Sequence, residues 1–157
     1  MSDNSEREFT PLTENRLNHM NAVANRAYTL AKIMFGKTEY LARKMYIYGL
    51  LHDVGYVFNP SDHAHAGARV LEDMGLDAEP INDHGDPMIE AMSDELLILN
   101  IADMTTSPTG ETVRMSDRLK DIGERYGYDS KQYVDAYAVA ELIYDELTAR
   151  GIPAVLL

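Results

Sequence analysis

The side chains able to do chemistry in this chain are His19, the adjacent pair His52-Asp53, His63, His84 and Asp103, with a fifth histidine at His65. Near neutral pH imidazole is mostly uncharged, and imidazoles clustered with carboxylates are the usual protein site for a transition-metal ion. There is no cysteine, which excludes thiolate zinc sites, cysteine nucleophiles and disulfide scaffolds together. Each candidate taken singly also has a plain structural explanation. His52 suits a hydrogen-bonded helix end, His19 the boundary of an apolar helix arc, and His84 the C-terminus of a short helix, where the macrodipole favours imidazolium. Asp103 is the most telling, because it ends a strongly apolar run from Leu96 to Met104 whose helix holds no Lys or Arg. A buried carboxylate without a partner is costly, so something cationic must reach it from Arg16, Arg26 or another helix, unless a polar network through Asn100 absorbs it. His65 lies about 200° around a helix from His63 and is expected to face solvent. Gly67, four residues after His63, costs up to about 1 kcal/mol relative to Ala inside a helix, which is tolerated where another backbone or a ligand comes close.

The elements that must position these groups read as helices. Leu17, Met20, Ala24, Ala27, Ala31 and Met34 recur at helical spacing behind a cap at Thr10-Pro11 or Thr13, and that helix ends near Gly36. Thr38 caps a second, with Leu41, Met45, Tyr48 and Leu51 inward, which delivers His52 and Asp53 at its last turn and runs out at Gly55. Asn59-Pro60-Ser61 turns into a third, which has His63 in its first turn and ends at Gly75. A short helix opening at Pro80 ends at Gly85 and carries His84, and Ser93 caps the apolar helix that carries Asp103. Beyond a loop from Thr105 to Gly110, helices are predicted from about Asp117 to Tyr126 and from Lys131 to Ala149. With no alternating strand pattern, the expected fold is all-α, a single-domain bundle of six or seven helices. Residues 1–9 read as a flexible arm, 10–105 as a metal-binding core and 106–157 as C-terminal helices.

Composition bounds the partners. The 157 residues are 45% hydrophobic and 25% charged, which suits one domain with its own core. A formal charge of −12 repels phosphate backbones and anionic lipid, so neither a long nucleic acid nor a membrane is expected as a partner, while a homodimer stays open. The polar start lacks the apolar stretch of a signal peptide, and no apolar run approaches the ~18 residues that span a bilayer, so a cytoplasmic location is expected.

In chain order, Arg16-x-x-His19 with Val23 and Ala27 behind it, Leu50-Leu51-His52-Asp53-Val54-Gly55, His63-x-x-x-Gly67-Ala68 and Ile101-Ala102-Asp103 resemble the successive motifs of the HD-domain superfamily of metal-dependent phosphohydrolases. The resemblance covers residues 13–105, and the remainder is similar to the tail of small bacterial members. It implies a helical bundle holding one or two divalent ions, the first bound by His19, His52, Asp53 and Asp103. In the two-metal branch Asp53 bridges, and His63 and His84 complete the second site. Fe or Mn is expected, and Zn, Ni or Co also suits such ligands. The reaction implied is hydrolysis of a phosphate ester or anhydride in a small, nucleotide-like substrate by metal-activated water, with Asp53 as the central catalytic residue. Candidate phosphate contacts are Arg16, Arg114 and Arg118. Two other readings use the same ligands: a diiron oxygenase of HD type acting on an organophosphonate or polyol, and a non-catalytic, metal-stabilised nucleotide-binding module. The chain departs from the family pattern in three places. Nine residues separate Asp53 from His63, too few for the lid of larger relatives; Tyr56 stands where many members carry Lys; and His84 is followed by Gly85 and not by a second His.

Overall fold

The computed structural model describes residues 9–155 and 157. The arm expected over residues 1–9 therefore lies outside the described residues except for Phe9, whose ring meets Phe58 edge-on at 5.6 Å. Among the described residues the chain forms seven α-helices and no strand: α1 Glu14–Ile33, α2 Glu39–Leu51, α3 His63–Asp73, α4 Glu79–Asp83, α5 Asp94–Met104, α6 Met115–Tyr126 and α7 Lys131–Arg150. Two short 3₁₀ turns, Val54–Val57 and Pro60–Asp62, join α2 to α3.

Local chemistry sets most of the helix starts. Thr13, Thr38, Ser93 and Ser130 each turn a side-chain oxygen onto the backbone N–H three residues on, which satisfies a donor the first helical turn leaves free. The predicted start of α6 at Asp117 is two residues late: the helix begins at Met115, whose side chain is buried and whose N–H donates to the carbonyl of Leu157. Arg114 at its N-cap offers no side-chain acceptor, so nothing local marked that boundary.

The core is built around α5, in which every residue from Leu96 to Ala102 is buried, against Leu30 of α1, Leu71 of α3, Ile81 of α4, and Ile143 and Leu147 of α7. Burying a large aliphatic side chain is worth about 1.5–3 kcal/mol, so this axis supplies much of the driving force and holds Asp103 at a set height. Helices α1 and α2 approach closely because the facing residues are small. A Cβ on Gly49 would lie 2.7 Å from the Cα of Ala24, so only glycine permits this contact. Farther along, a Cβ on Gly55 would lie 1.8 Å from the carbonyl oxygen of His63, and one on Gly67 3.2 Å from the Gly55 nitrogen. The expectation that another backbone closely approaches Gly67 thus describes the turn after Asp53. No described helix is long and apolar enough to cross a membrane.

Candidate metal centre

Five helices, and the turn that follows the second, deliver the site. His19 comes from α1, His52 is the C-cap of α2 with Asp53 next to it, His63 opens α3, His84 is the C-cap of α4 and Asp103 lies in the last turn of α5. The predicted run of the second helix to Gly55 stops instead at Leu51, and the 3₁₀ turn that follows swings Asp53 into the interior. His52 and Asp53 are 0% and 3% exposed, and His19 and His84 are buried with them. His65 stays outside, 2.7 Å from Asp62.

Three of the histidines are oriented by backbone carbonyls. His19 Nδ1 donates to Ser107 at 2.8 Å, His52 Nδ1 to Gly49 at 2.7 Å and His84 Nδ1 to Ile81 at 2.5 Å. A carbonyl only accepts, so each Nδ1 carries a proton and each Nε2 points inward, where loss of any proton it holds exposes a lone pair, the arrangement found in metal-ligating histidines. His52 and His84 reach back three residues to carbonyls that their own helix ends leave free, so the helix-end reading of both is met by the same bonds that aim them. Ser107 reaches His19 because the loop after α5 folds back on itself, Ser107 N–H to Glu111 at 2.7 Å, and rests on α1 beside Asn18.

The carboxylates meet these nitrogens from both sides. Asp53 Oδ2 lies 3.3 Å from His52 Nε2 and 3.7 Å from His19 Nε2, while Oδ1 lies 3.4 Å from His63 Nε2 and 3.6 Å from His84 Nε2. Asp103 Oδ1 is 2.9 Å from His19 Nε2 and 3.4 Å from His52 Nε2. The partners of Asp103 are therefore imidazoles. Arg16 goes instead to Asp53 Oδ2 at 2.9 Å, and Arg26 meets the Thr105 hydroxyl at 3.2 Å. Asn100 accepts from Gly85 N–H at 2.9 Å and so braces the turn behind His84.

Electrostatics follow from this crowding. Burial opposes charge on both carboxyls most strongly, yet His52 and His84 around Asp53, and His19 and His52 around Asp103, hold both well below the ordinary carboxylate range. The two carboxylates raise His52 well above the usual histidine value in spite of its complete burial. His63 goes the other way: burial lowers it to about 4, beyond what Asp53 restores.

The residues fit a divalent ion. His52 Nε2 and His84 Nε2 are buried facing carboxylate oxygens with no hydrogen-bond partner, and a cation between them and those oxygens would supply a partner. His19, His52 and Asp103, and likewise His52, Asp53 and His84, each offer three ligand atoms within 4.8 Å of one another. Such a set can hold a Lewis acid and leave positions open toward the adjoining cavity.

That cavity, of about 440 Å³, runs from the cluster to α6 and α7. Arg16, His19, Tyr56, His63 and Asp103 line one side, and Arg118, Arg125, Tyr126 and Gln132 the other. Asp103, read from the sequence as a buried carboxylate, keeps 22% of its side chain open here. Of the three arginines read from the sequence, Arg16 and Arg118 line this space, while Arg114 is exposed at the α6 N-cap and is absent from its wall. Arg125, which also lines the cavity, was not among the phosphate candidates, although its spacing of seven from Arg118 puts both on one helix face. The Ser107 carbonyl left no trace in the sequence, since any residue supplies a carbonyl.

No curated protein and no solved structure matches this chain. The family model described as HD domain matches residues 16–107, more than half of the chain and from just before His19 to just beyond Asp103. The ordered histidines and aspartates, the helical bundle that gathers them and this match together place the chain in the HD-domain family.

Proposed function

We propose that this protein is a metal-dependent phosphohydrolase that cleaves a phosphate ester or anhydride of a small, nucleotide-like substrate, using two divalent ions, Fe or Mn, that share Asp53. The supporting observation is the division of the Asp53 carboxylate, one oxygen toward His19 and His52 and the other toward His63 and His84, beside a cavity with arginines on both walls. When bound, such ions acidify a water molecule and clamp phosphoryl oxygens.

The chain's own groups bind and orient the substrate. Arg16 is held by Asp53 on one side and lies over the Tyr56 ring, 3.9 Å from its centre, so its guanidinium is fixed at the mouth of the cluster. Arg118 is less committed. Asp121 is 2.6 Å from Arg125 but 3.5 Å from Arg118, and the Arg118 Nε is buried without a partner. A guanidinium so weakly paired is suited to a phosphate, which it can meet with two parallel N–H donors. The net charge of −12 disfavours long polyanions, and a cavity of about 440 Å³ suits a mononucleotide-sized ligand.

The test is to incubate Mn- and Fe-loaded protein with nucleotides, dinucleoside polyphosphates and a chromogenic phosphodiester. Metal-dependent product, abolished in Asp53→Ala, supports the reading. Inertness toward all of them, with oxygen consumed by the Fe form on an organophosphonate or polyol, replaces it with the oxygenase. Nucleotide binding without turnover or oxygen uptake replaces it with the binding module.

A further inference from the structure

His63 is held differently from the other candidate ligands. His19, His52 and His84 each have Nδ1 fixed on a backbone carbonyl, whereas the polar contact His63 makes among the described residues is Nε2 to Asp53 Oδ1 at 3.4 Å. It also keeps 28% of its side chain exposed at the start of α3. The χ2 torsion of histidine is broad, so a ring without a second anchor turns its Nε2 away from an ion easily.

The missing anchor is supplied by Tyr56. Its ring stacks on the His63 imidazole with centres 4.1 Å apart and planes 15° from parallel. Arg16 lies 3.9 Å from the same ring centre, and two planar groups that close cannot share a face, so Tyr56 is sandwiched between them. Both ends of the sandwich return to one carboxylate, Arg16 to Asp53 Oδ2 and His63 to Asp53 Oδ1.

We infer that Tyr56 is a positioning residue for the second ion: its ring fixes His63 by stacking, in place of the carbonyl hydrogen bond that fixes the other three histidines. The inference rests on the two-ion reading and goes beyond it by assigning the Tyr56 ring a task. The work is done by the aromatic plane and not by the phenol, so phenylalanine replaces it and leucine does not. Partners that orient a metal ligand typically contribute about 10–100-fold in affinity, and the loss should fall on one ion only.

The experiment titrates Mn(II) into wild type, Tyr56→Phe and Tyr56→Leu by calorimetry, and records the His63 ring resonances of each metal-free protein by NMR. Expected are an upfield ring-current shift of His63 in wild type and Tyr56→Phe that is lost in Tyr56→Leu, and a second Mn(II) bound about 10-fold or more weakly in Tyr56→Leu, with the first unchanged. Wild-type affinity for both ions in Tyr56→Leu overturns the inference and leaves the two-ion reading intact. So does a second-ion loss in Tyr56→Phe equal to that in Tyr56→Leu, which would move the effect to the hydroxyl. One ion in wild type overturns both. Should Tyr56→Leu not fold, an unshifted His63 in the wild-type protein still refutes the stack.

Discussion

Replacing Asp53 by Ala tests the shared carboxylate most directly, and the structure sets the size of the effect. Its oxygens stand nearly symmetrically, 3.3 and 3.7 Å from the His52 and His19 nitrogens on one side and 3.4 and 3.6 Å from those of His63 and His84 on the other. Binding of a structural ion by four ligands is worth about 10–16 kcal/mol, or about 3 kcal/mol per ligand, which corresponds to more than a hundredfold in affinity. Asp53→Ala is therefore expected to weaken both ions by about a hundredfold or more, and His63→Ala to weaken only the second by that factor. The assay is calorimetric titration with Mn(II), backed by elemental analysis after gel filtration. Because Asp53 also neutralises Arg16 and His52, its loss is expected to cost about 3–5 kcal/mol of stability, so circular dichroism must first show a folded variant. An Asp53→Ala protein that keeps one ion at wild-type affinity refutes the sharing, and a His63→Ala protein that loses both refutes the division into two halves.

Metal uptake should release a proton, because His52 in the metal-free protein is charged well above the usual pH and must give up its Nε2 proton to ligate. Calorimetry in two buffers of different ionisation enthalpy measures that proton, and identical heats would contradict it. His63, with a folded value of about 4, is neutral where the unfolded chain is charged, so it lowers the stability of the metal-free protein as pH falls from about 6.5 to 4. His63→Gln should flatten that part of the melting curve against pH, and an unchanged slope would count against it. Gly55→Ala places a methyl 1.8 Å from a backbone oxygen, and a chemical-denaturation loss below the usual 1–3 kcal/mol or so of overpacking would mean that the turn can shift. His65→Ala should leave metal content unchanged and stability within about 0.5 kcal/mol, since its contact with Asp62 is exposed; metal loss would misplace the α3 ligand by two residues.

The features legible along the chain follow from interactions only a few residues long. Thr13, Thr38 and Ser93 cap their own helices, and the apolar spacing of α1 and α5 states which side faces inward. Even the aim of His52 and His84 is local, each bonding three residues back. The His/Asp motifs are likewise legible in order, and a family model matches over the same stretch. Tertiary structure alone decided what depends on distant residues. The α6 start rests on Leu157, 42 positions from Met115, and the orientation of His19 on a carbonyl in a folded-back loop. Arg16 and Arg26 were equal candidates for Asp103 by charge, and packing sent one to Asp53 and the other to Thr105, leaving Asp103 to two imidazoles. Arg114 and Arg118 differ little as residues, but only the second is turned into the cavity. Helix caps and periodicity act within one or two turns of chain, where composition fixes the outcome. A site gathered from α1 through α5 depends on how close the helices come, which Gly49, Gly55 and Gly67 govern through backbone contacts their missing side chains permit.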